Sequence, residues 1–346
     1  MGWELEQVLA TMQVPFPELT DLRFISDGET LSTIPDSFLD GSAPRLRIFI
    51  LQGIPFPGLS KLLLSATHLV QLWLAKIPHS GYISPEAIVA LLSVLSSLET
   101  LLIEFQSPQS RPDWETRPPP PSKHSVLPAL IYLDFKGVVE YLEDLVTGID
   151  TPQLGDMHIA FFNQIDFDTP RLAQFINRTP KLSERRAHVK FESYYARIEL
   201  APGPWSRTLE IAISCEEQDW QLSSIEQICN SSLNALSTIE VLCIEHQYLQ
   251  VGWKNAEIEN ALWLRLFLPF TAVKNLYLYK EFAPGIAAAL QELVGGRITD
   301  VLPSLQNIFV EGFEPSGPLQ ENIGQFVAAR QLSDHPITIS DWDRRW

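Results

Sequence analysis

Apolar residues along this chain recur in one spacing, L-x-x-L-x-L, with a proline or small polar residue two places before the first leucine. Leu19, Leu22 and Phe24 fit it, as do Leu46, Phe49 and Leu51 after Pro44, Leu69, Leu72 and Leu74, and Leu98, Leu101 and Ile103. Leu130, Leu133 and Phe135 follow Pro128, and Leu154, Met157 and Ile159 follow Pro152. The spacing returns at Ile239, Leu242 and Ile244, at Val273, Leu276 and Leu278, and at Leu305, Ile308 and Val310. The last two apolar positions alternate with period two, as on a strand with one face buried. Between these phrases the period becomes helical. "ISPEAIVALLSVLSSL" offers Ser84 as N-cap and Pro85 at the first helical position, with Ile88, Leu91, Leu92 and Leu95 on one face. "GVVEYLEDLVTG" groups Val138, Tyr141, Leu142 and Leu145, and "FDTPRLAQFINRTPKL" opens at Thr169 and Pro170.

The first leucines of the six early phrases stand at 19, 46, 69, 98, 130 and 154, 23 to 32 residues apart. Leucine-rich repeats run at about 20–29 residues with this same core. Strand, helix, strand, helix with right-handed crossovers predicts an α/β leucine-rich-repeat solenoid over residues 1–346, a curved parallel sheet inside and helices outside, of about ten irregular repeats. Two stretches interrupt it. Residues 106–126, "QSPQSRPDWETRPPPPSKHSV", carry six prolines and no period, which predicts a loop insertion; its "RPPPPSK" also has the look of a docking peptide. Residues 183–217 place charge where leucine is expected ("SERRAHVKF") and continue with strand-like pieces lacking helices between them. That predicts an irregular β-rich stretch within the array, the alternative being a domain boundary.

Composition narrows the function classes. The chain of 346 residues is 45% hydrophobic and 19% charged, with a net charge of −17. Nucleic acid and anionic membranes attract basic faces, and the tightest basic group is Arg185, Arg186, His188 and Lys190, so neither is an expected partner. Three cysteines, Cys215, Cys229 and Cys243, make no disulfide framework and no C-x-x-C pair and read as buried thiols. No signal peptide or membrane-length apolar run is visible, which predicts an intracellular protein, cytoplasmic or nuclear. The chain lacks a P-loop, a G-x-S-x-G elbow and an H-E-x-x-H helix. Its seven histidines read as isolated, and no cofactor, metal or catalytic residue is expected.

The phrases "PFPELTDLRF", "GIPFPGLSKLLLSATHLVQLWL", "IPHSGYISPEAIVALLS", "FQSPQSRPDWETRPPPP", "FFNQIDFDTPRLAQFI", "LRLFLPFTAVKNLYL" and "GQFVAARQLSDHPITISDWD" give the chain a resemblance, over nearly its whole length, to the leucine-rich-repeat region of fungal (basidiomycete) F-box-type proteins. The resemblance implies a scaffold that, joined to an F-box, presents targets to a cullin-type ubiquitin ligase. The 18 residues before Leu19 hold one helical fragment, "WELEQVLATMQ", in place of the helix bundle of an F-box. The expectation is therefore a truncated or domain-free member, or a repeat protein with an unrelated binding role, with an adaptor bound only if an F-box is supplied elsewhere. An unrecognised enzyme is the remaining alternative.

In such a solenoid the residues between the buried positions face out of the sheet. They include Trp73, Tyr132, Asp134, His158, Tyr277, Tyr279 and Phe309. A solvated strand face should be mostly polar; aromatic residues there are the types enriched at binding hot spots. These seven positions are the expected protein-binding surface, on the concave face, and the acidic surroundings favour a basic protein or peptide. The competing expectations are a shifted register, or a long loop folded over the rings.

Overall fold

The computed structural model describes residues 9, 11–26, 33–109, 124–164, 166–182, 185–201, 209–215, 217–231, 233–246, 259–314 and 318–342. The contacts divide the chain into two compact units, residues 1–162 with 174–181 and residues 163–173 with 182–346.

The first unit contains β1 (Asp21–Ile25), β2 (Ile48–Gln52), β3 (Gln71–Ile77), β4 (Thr100–Phe105), β5 (Ser125–Val126), β6 (Tyr132–Gly137), β7 (Ile149–Asp150) and β8 (Asp156–Phe161). Its helices are α1 (Leu59–Ser65), α2 (Pro85–Leu92) and α3 (Val139–Gly148); α4 (Pro170–Arg178) has residues in both units. β1, β2, β3, β4, β6 and β8 pair in that order, all parallel. The register aligns Leu22, Phe49, Leu72, Leu101, Leu133 and Met157 in one row, and Phe24, Leu51, Leu74, Ile103, Phe135 and Ile159 in a second. Apart from half-buried Phe24 at the edge, both rows are core.

The recurring proline has a local cause. In Phe16–Leu19, Ala43–Leu46, Leu127–Leu130 and Thr151–Leu154 the leucine N–H donates to the carbonyl three residues back, at 3.1 to 3.4 Å. Proline occupies the second position of each turn, where its fixed φ is already suitable. The repeat is then registered by a ladder: two successive N–H groups entering each strand donate to one carbonyl of the repeat before. Arg47 and Ile48 use Thr20 O, Val70 and Gln71 use Arg47 O, and Ile131 and Tyr132 use Glu99 O. α2 starts as its sequence predicts, with the Ser84 hydroxyl accepting from Ala87 N at 3.3 Å.

The second unit contains β9 (Arg186–Phe191), β10 (Tyr195–Ala201), β11 (Leu209–Ser214), β12 (Val241–His246), β13 (Asn275–Leu278), β14 (Asn307–Val310) and β15 (Thr338–Asp341). Its helices are α5 (Gln218–Ser231), α6 (Asn260–Phe267), α7 (Ala283–Gln291) and α8 (Pro318–Leu332). β9, β10 and β11 form an antiparallel meander, and β9, β12, β13, β14 and β15 continue from it in parallel. The charges in "SERRAHVKF" do not displace a core row. Ala187, Val189 and Phe191 are fully buried, and Arg186, His188 and Lys190 alternate with them on the other face. Ala187, Leu242, Leu276, Ile308 and Ile339 stand in one register row. Trp263 on α6 closes this core against Phe191 and Phe282.

The fold class is α/β: parallel strands and helices alternating in leucine-rich repeats, with the solenoid construction visible in each unit. Residues 110–123, the greater part of the proline-rich insertion, lie outside the described residues, as do most of the N-terminal "WELEQVLATMQ". The described flanks of the insertion are ordered into the first unit. Gln109 is buried and donates to Ile77 O at 3.0 Å, and Ser125–Val126 pairs with β7, so residues 125–126 are strand where a loop is expected from sequence. No helix among the described residues is long and apolar enough to cross a membrane.

One strained residue gives a direct test of the strand geometry. The β3–β4 register shifts between Leu74 and Ile77, and exposed Lys76 sits there at φ +49°. A left-handed conformation costs a residue with a Cβ about 1–2 kcal/mol, part of which glycine gives back in backbone entropy. Lys76→Gly is expected to stabilise the chain by about 0.5–1 kcal/mol in urea unfolding; a loss of stability would mean that the lysine stem contributes packing at the bulge.

Candidate functional site

The residues that face away from the core form a defined row in each unit. In the first, Arg23, Ile50, Trp73, Leu102, Asp134 and His158 are register partners from β1 to β8. Ile50 is nearly buried although it lies on the outward face, while its neighbour Trp73 retains 37% of its surface. Beside this apolar centre the row turns polar. The Tyr132 hydroxyl donates to Asp134 Oδ2 at 3.1 Å, and its ring lies 5.4 Å from that of His158. His158 Nε2 bonds Asp156 Oδ1 at 3.1 Å, both side chains partly open to solvent. Lys136 is held by Glu104 at 3.2 Å. Trp73, Tyr132, Asp134 and His158 are thus on one sheet face of the first unit, as the spacing predicts.

In the second unit the corresponding row is His188, Cys243, Tyr277, Phe309 and Ser340. Tyr277 stacks on Phe309 with centroids 4.5 Å apart and planes 13° from parallel. Trp342 meets Tyr277 edge-on at 5.3 Å and Tyr279 at 5.2 Å. All four rings are half-buried. Burial raises the Tyr277 phenol above its ordinary pKa, so the ring is neutral and presents an apolar platform with a hydroxyl at its rim. Trp342, absent from the sequence-derived set, completes this cluster. Its signal was the alternation Ile337, Ile339 in "PITISDW", which lacks the leading leucine of the repeat. The seven expected positions therefore fall in two groups, four in the first unit and three in the second.

Next to the aromatic platform lies a network of charge across β9 to β12. Arg197 contacts Glu192, Glu199 and Glu210, and Lys190 binds Glu199 at 2.9 Å. His188 Nδ1 is 2.6 Å from Glu245 Oε1. Within the basic group, His188 and Lys190 are thus each paired with a carboxylate. The reading of all seven histidines as isolated is corrected here. His188 has Glu245 as a bonded partner and Cys243 as its register partner, and the three donor atoms all lie within 4.8 Å of one another. Separations of 55 and 57 residues hid this group from any motif search. Cys215 and Cys229 are buried thiols, Cys229 raised by its surroundings, chiefly burial.

No protein-family model matches the chain, and none of the curated proteins matches it. Among solved structures the chain is similar to the leucine-rich repeat-containing protein LegL7 from Legionella pneumophila. The identity is 10% over 92% of this chain and 93% of that one, with a TM-score of 0.32.

Proposed function

We propose that the protein is a non-catalytic, target-binding repeat protein whose outward strand face recognises a protein or peptide. The observation that carries this reading is the Tyr277–Phe309 stack with Trp342 and Tyr279 closing on it, four rings on a sheet face that solvation alone would make polar. Aromatic platforms of this kind give large contact area at low entropy cost. Glu311 at the end of β14 and Asp341 on β15 belong to the same strands, and the chain's net charge is −17. A partner combining apolar side chains with lysine or arginine fits that surface. Trp73, with Tyr132, Asp134 and His158, offers a second contact region of similar chemistry on the first unit.

The resemblance to F-box repeat regions gives this reading a finer form: target recognition for a cullin-type ubiquitin ligase, with adaptor binding supplied by an F-box. Cullin-ligase subunits recovered with the tagged chain from fungal cells would support that form, and their absence from a target-bound sample would remove it.

The experiment is a displayed random-peptide selection on the native chain, followed by titration of the enriched peptides against Tyr277→Ala/Phe309→Ala and against Trp73→Ala. Loss of a hot-spot aromatic costs about 2 kcal/mol or more, so affinity should fall about 30-fold for the double variant, with circular dichroism unchanged. Enriched peptides should be basic and apolar. Peptides that bind both variants as tightly as the native chain would overturn the assignment of recognition to this face.

A further inference from the structure

We infer that His188, Cys243 and Glu245 form a binding site for a single borderline-soft divalent cation of the zinc class on the second unit. The site is independent of the target-binding reading. Three features of the strands bring the donors together. His188 on β9 and Cys243 on β12 are register partners, so their side chains leave adjacent parallel strands at the same level. Glu245 is two residues beyond Cys243 and therefore on the same face. All three lie on the face opposite the core rows Ala187, Val189 and Leu242, Ile244.

The donor geometry suits one ion. Nitrogen, sulfur and oxygen ligands bind zinc at about 2.0–2.3 Å, which places neighbouring donors of a tetrahedron roughly 3.5 Å apart. The observed His188–Glu245 separation is 2.6 Å and no pair exceeds 4.8 Å, values on either side of that spacing. Small rotations of two side chains would open the short pair and close the others. An imidazole, a thiolate and a carboxylate are a mixed set that favours zinc or cobalt and excludes magnesium and calcium, which take oxygen ligands. Three protein ligands leave a fourth position for water, and the side chains of His188 and Glu245 are 24% and 20% exposed, so that position has access to solvent.

Cation binding releases the Cys243 thiol proton to solvent and moves the imidazole proton from Nδ1, where it bonds the Glu245 carboxylate, to Nε2, freeing Nδ1 to ligate. Lys190 is the nearby cation that opposes this, and its ammonium is engaged by Glu199 at 2.9 Å. Glu192, Glu199 and Glu210 around Arg197 leave the neighbourhood with more carboxylates than cations. The bound ion would tie β9 to β12, strands that the chain joins only through β10, β11 and α5.

Cobalt titration of chelator-treated full-length chain tests the site. The expected result is one equivalent of cobalt bound, a thiolate-to-metal charge-transfer absorption in the near ultraviolet, and displacement by zinc. Cys243→Ser should abolish that absorption, and His188→Gln should weaken binding at least about tenfold, while Cys215→Ser and Cys229→Ser leave both unchanged. Should Cys243→Ser fail to fold, the native chain still decides: zinc should protect Cys243, and neither other cysteine, from alkylation mapped by mass spectrometry. The proposal is overturned if the native chain shows no charge-transfer absorption, if His188→Gln binds as tightly as the native chain, or if zinc leaves Cys243 alkylation unchanged.

Discussion

Arg330→Leu is expected to destabilise the chain by about 3 kcal/mol, a large effect for a residue far from any proposed binding surface. Arg330 stands in the last turn of α8 with no exposed surface. Its Nη2 donates to Val301 O at 3.1 Å and Leu302 O at 2.8 Å, its Nη1 reaches Pro303 O at 3.3 Å, and its guanidinium lies 5.4 Å from the Phe326 ring centroid. The three carbonyls belong to the turn that leads into β14, and Leu302 holds it at φ +48°, a conformation that L residues adopt only under constraint. Burial alone depresses the Arg330 pKa, yet an arginine remains charged at neutral pH. The desolvation cost of the cation is thus set against charged hydrogen bonds of about 1.5–3 kcal/mol each, and removal leaves carbonyls without donors. Leucine can fill the volume but donates nothing. Arg330→Lys keeps the charge and loses the planar fork, so its loss should be smaller. Urea unfolding at unchanged m-value reads both. An Arg330→Leu midpoint equal to the native one would show that desolvation cancels all three bonds.

The same arrangement recurs in the first unit, where Arg178 in the last turn of α4 donates to Val146 O and Ile149 O at 2.8 and 2.5 Å. Arg178 is exposed although Val146 and Ile149 are fully buried, so water reaches those carbonyls by the path the arginine vacates when it is replaced, and its removal should cost less than that of Arg330. Comparing the two arginines separates the value of the hydrogen bonds from the value of burying them.

The strand rows were legible because two signals coincide at each repeat: a proline-initiated turn that ends on the first leucine, and period-two alternation after it. Either alone is weak, but together they fix which residue faces the core, and Trp73, Tyr277 and Phe309 follow as outward positions. What sequence could not supply was anything requiring two distant strands at once. His188 finds Glu245 and Cys243 only because the β9–β10–β11 meander returns the chain so that β9 lies beside β12. The charged look of "SERRAHVKF" hid that strand's own alternation, since short core residues such as Ala187 carry little pattern. β15 was missed for a related reason: its core residues Ile337 and Ile339 come without a leading leucine, and with them went Trp342. Arg330 gave no signal at all, because a buried cation at a helix end has the same sequence context as an exposed one.

Phe135→Ala carries the second large expectation, a loss of about 3–5 kcal/mol, with a non-additive partner that identifies its cause. Phe135 is fully buried at the centre of the β4–β6–β8 row. Its ring stacks on Tyr141 of α3 at 5.8 Å and lies edge-on to Phe105 at 6.4 Å, while Phe105 and Tyr141 meet at 4.7 Å. The Tyr141 hydroxyl donates to Ile83 O at 2.8 Å, so a buried polar atom is satisfied and the ring is fixed in place. This cluster joins strand, helix and the segment before α2 within the first unit, and truncating its middle ring leaves a cavity that two anchored neighbours cannot close. Gly137 shows why the ring fits. A Cβ there would stand 2.5 Å from Phe135 Cζ and 3.0 Å from Phe105 Cδ2, so the phenylalanine occupies the space that a side chain at 137 would need. Gly137→Ala alone should therefore destabilise by about 1–3 kcal/mol through overpacking. In the Phe135→Ala background the 2.5 Å clash is gone and only the 3.0 Å approach to Phe105 Cδ2 remains, so the cost of the methyl should fall sharply, giving a coupling of about 1 kcal/mol or more. Urea unfolding of the two single variants and the double variant measures it; strictly additive losses would mean that the ring and the missing side chain do not compete for one volume.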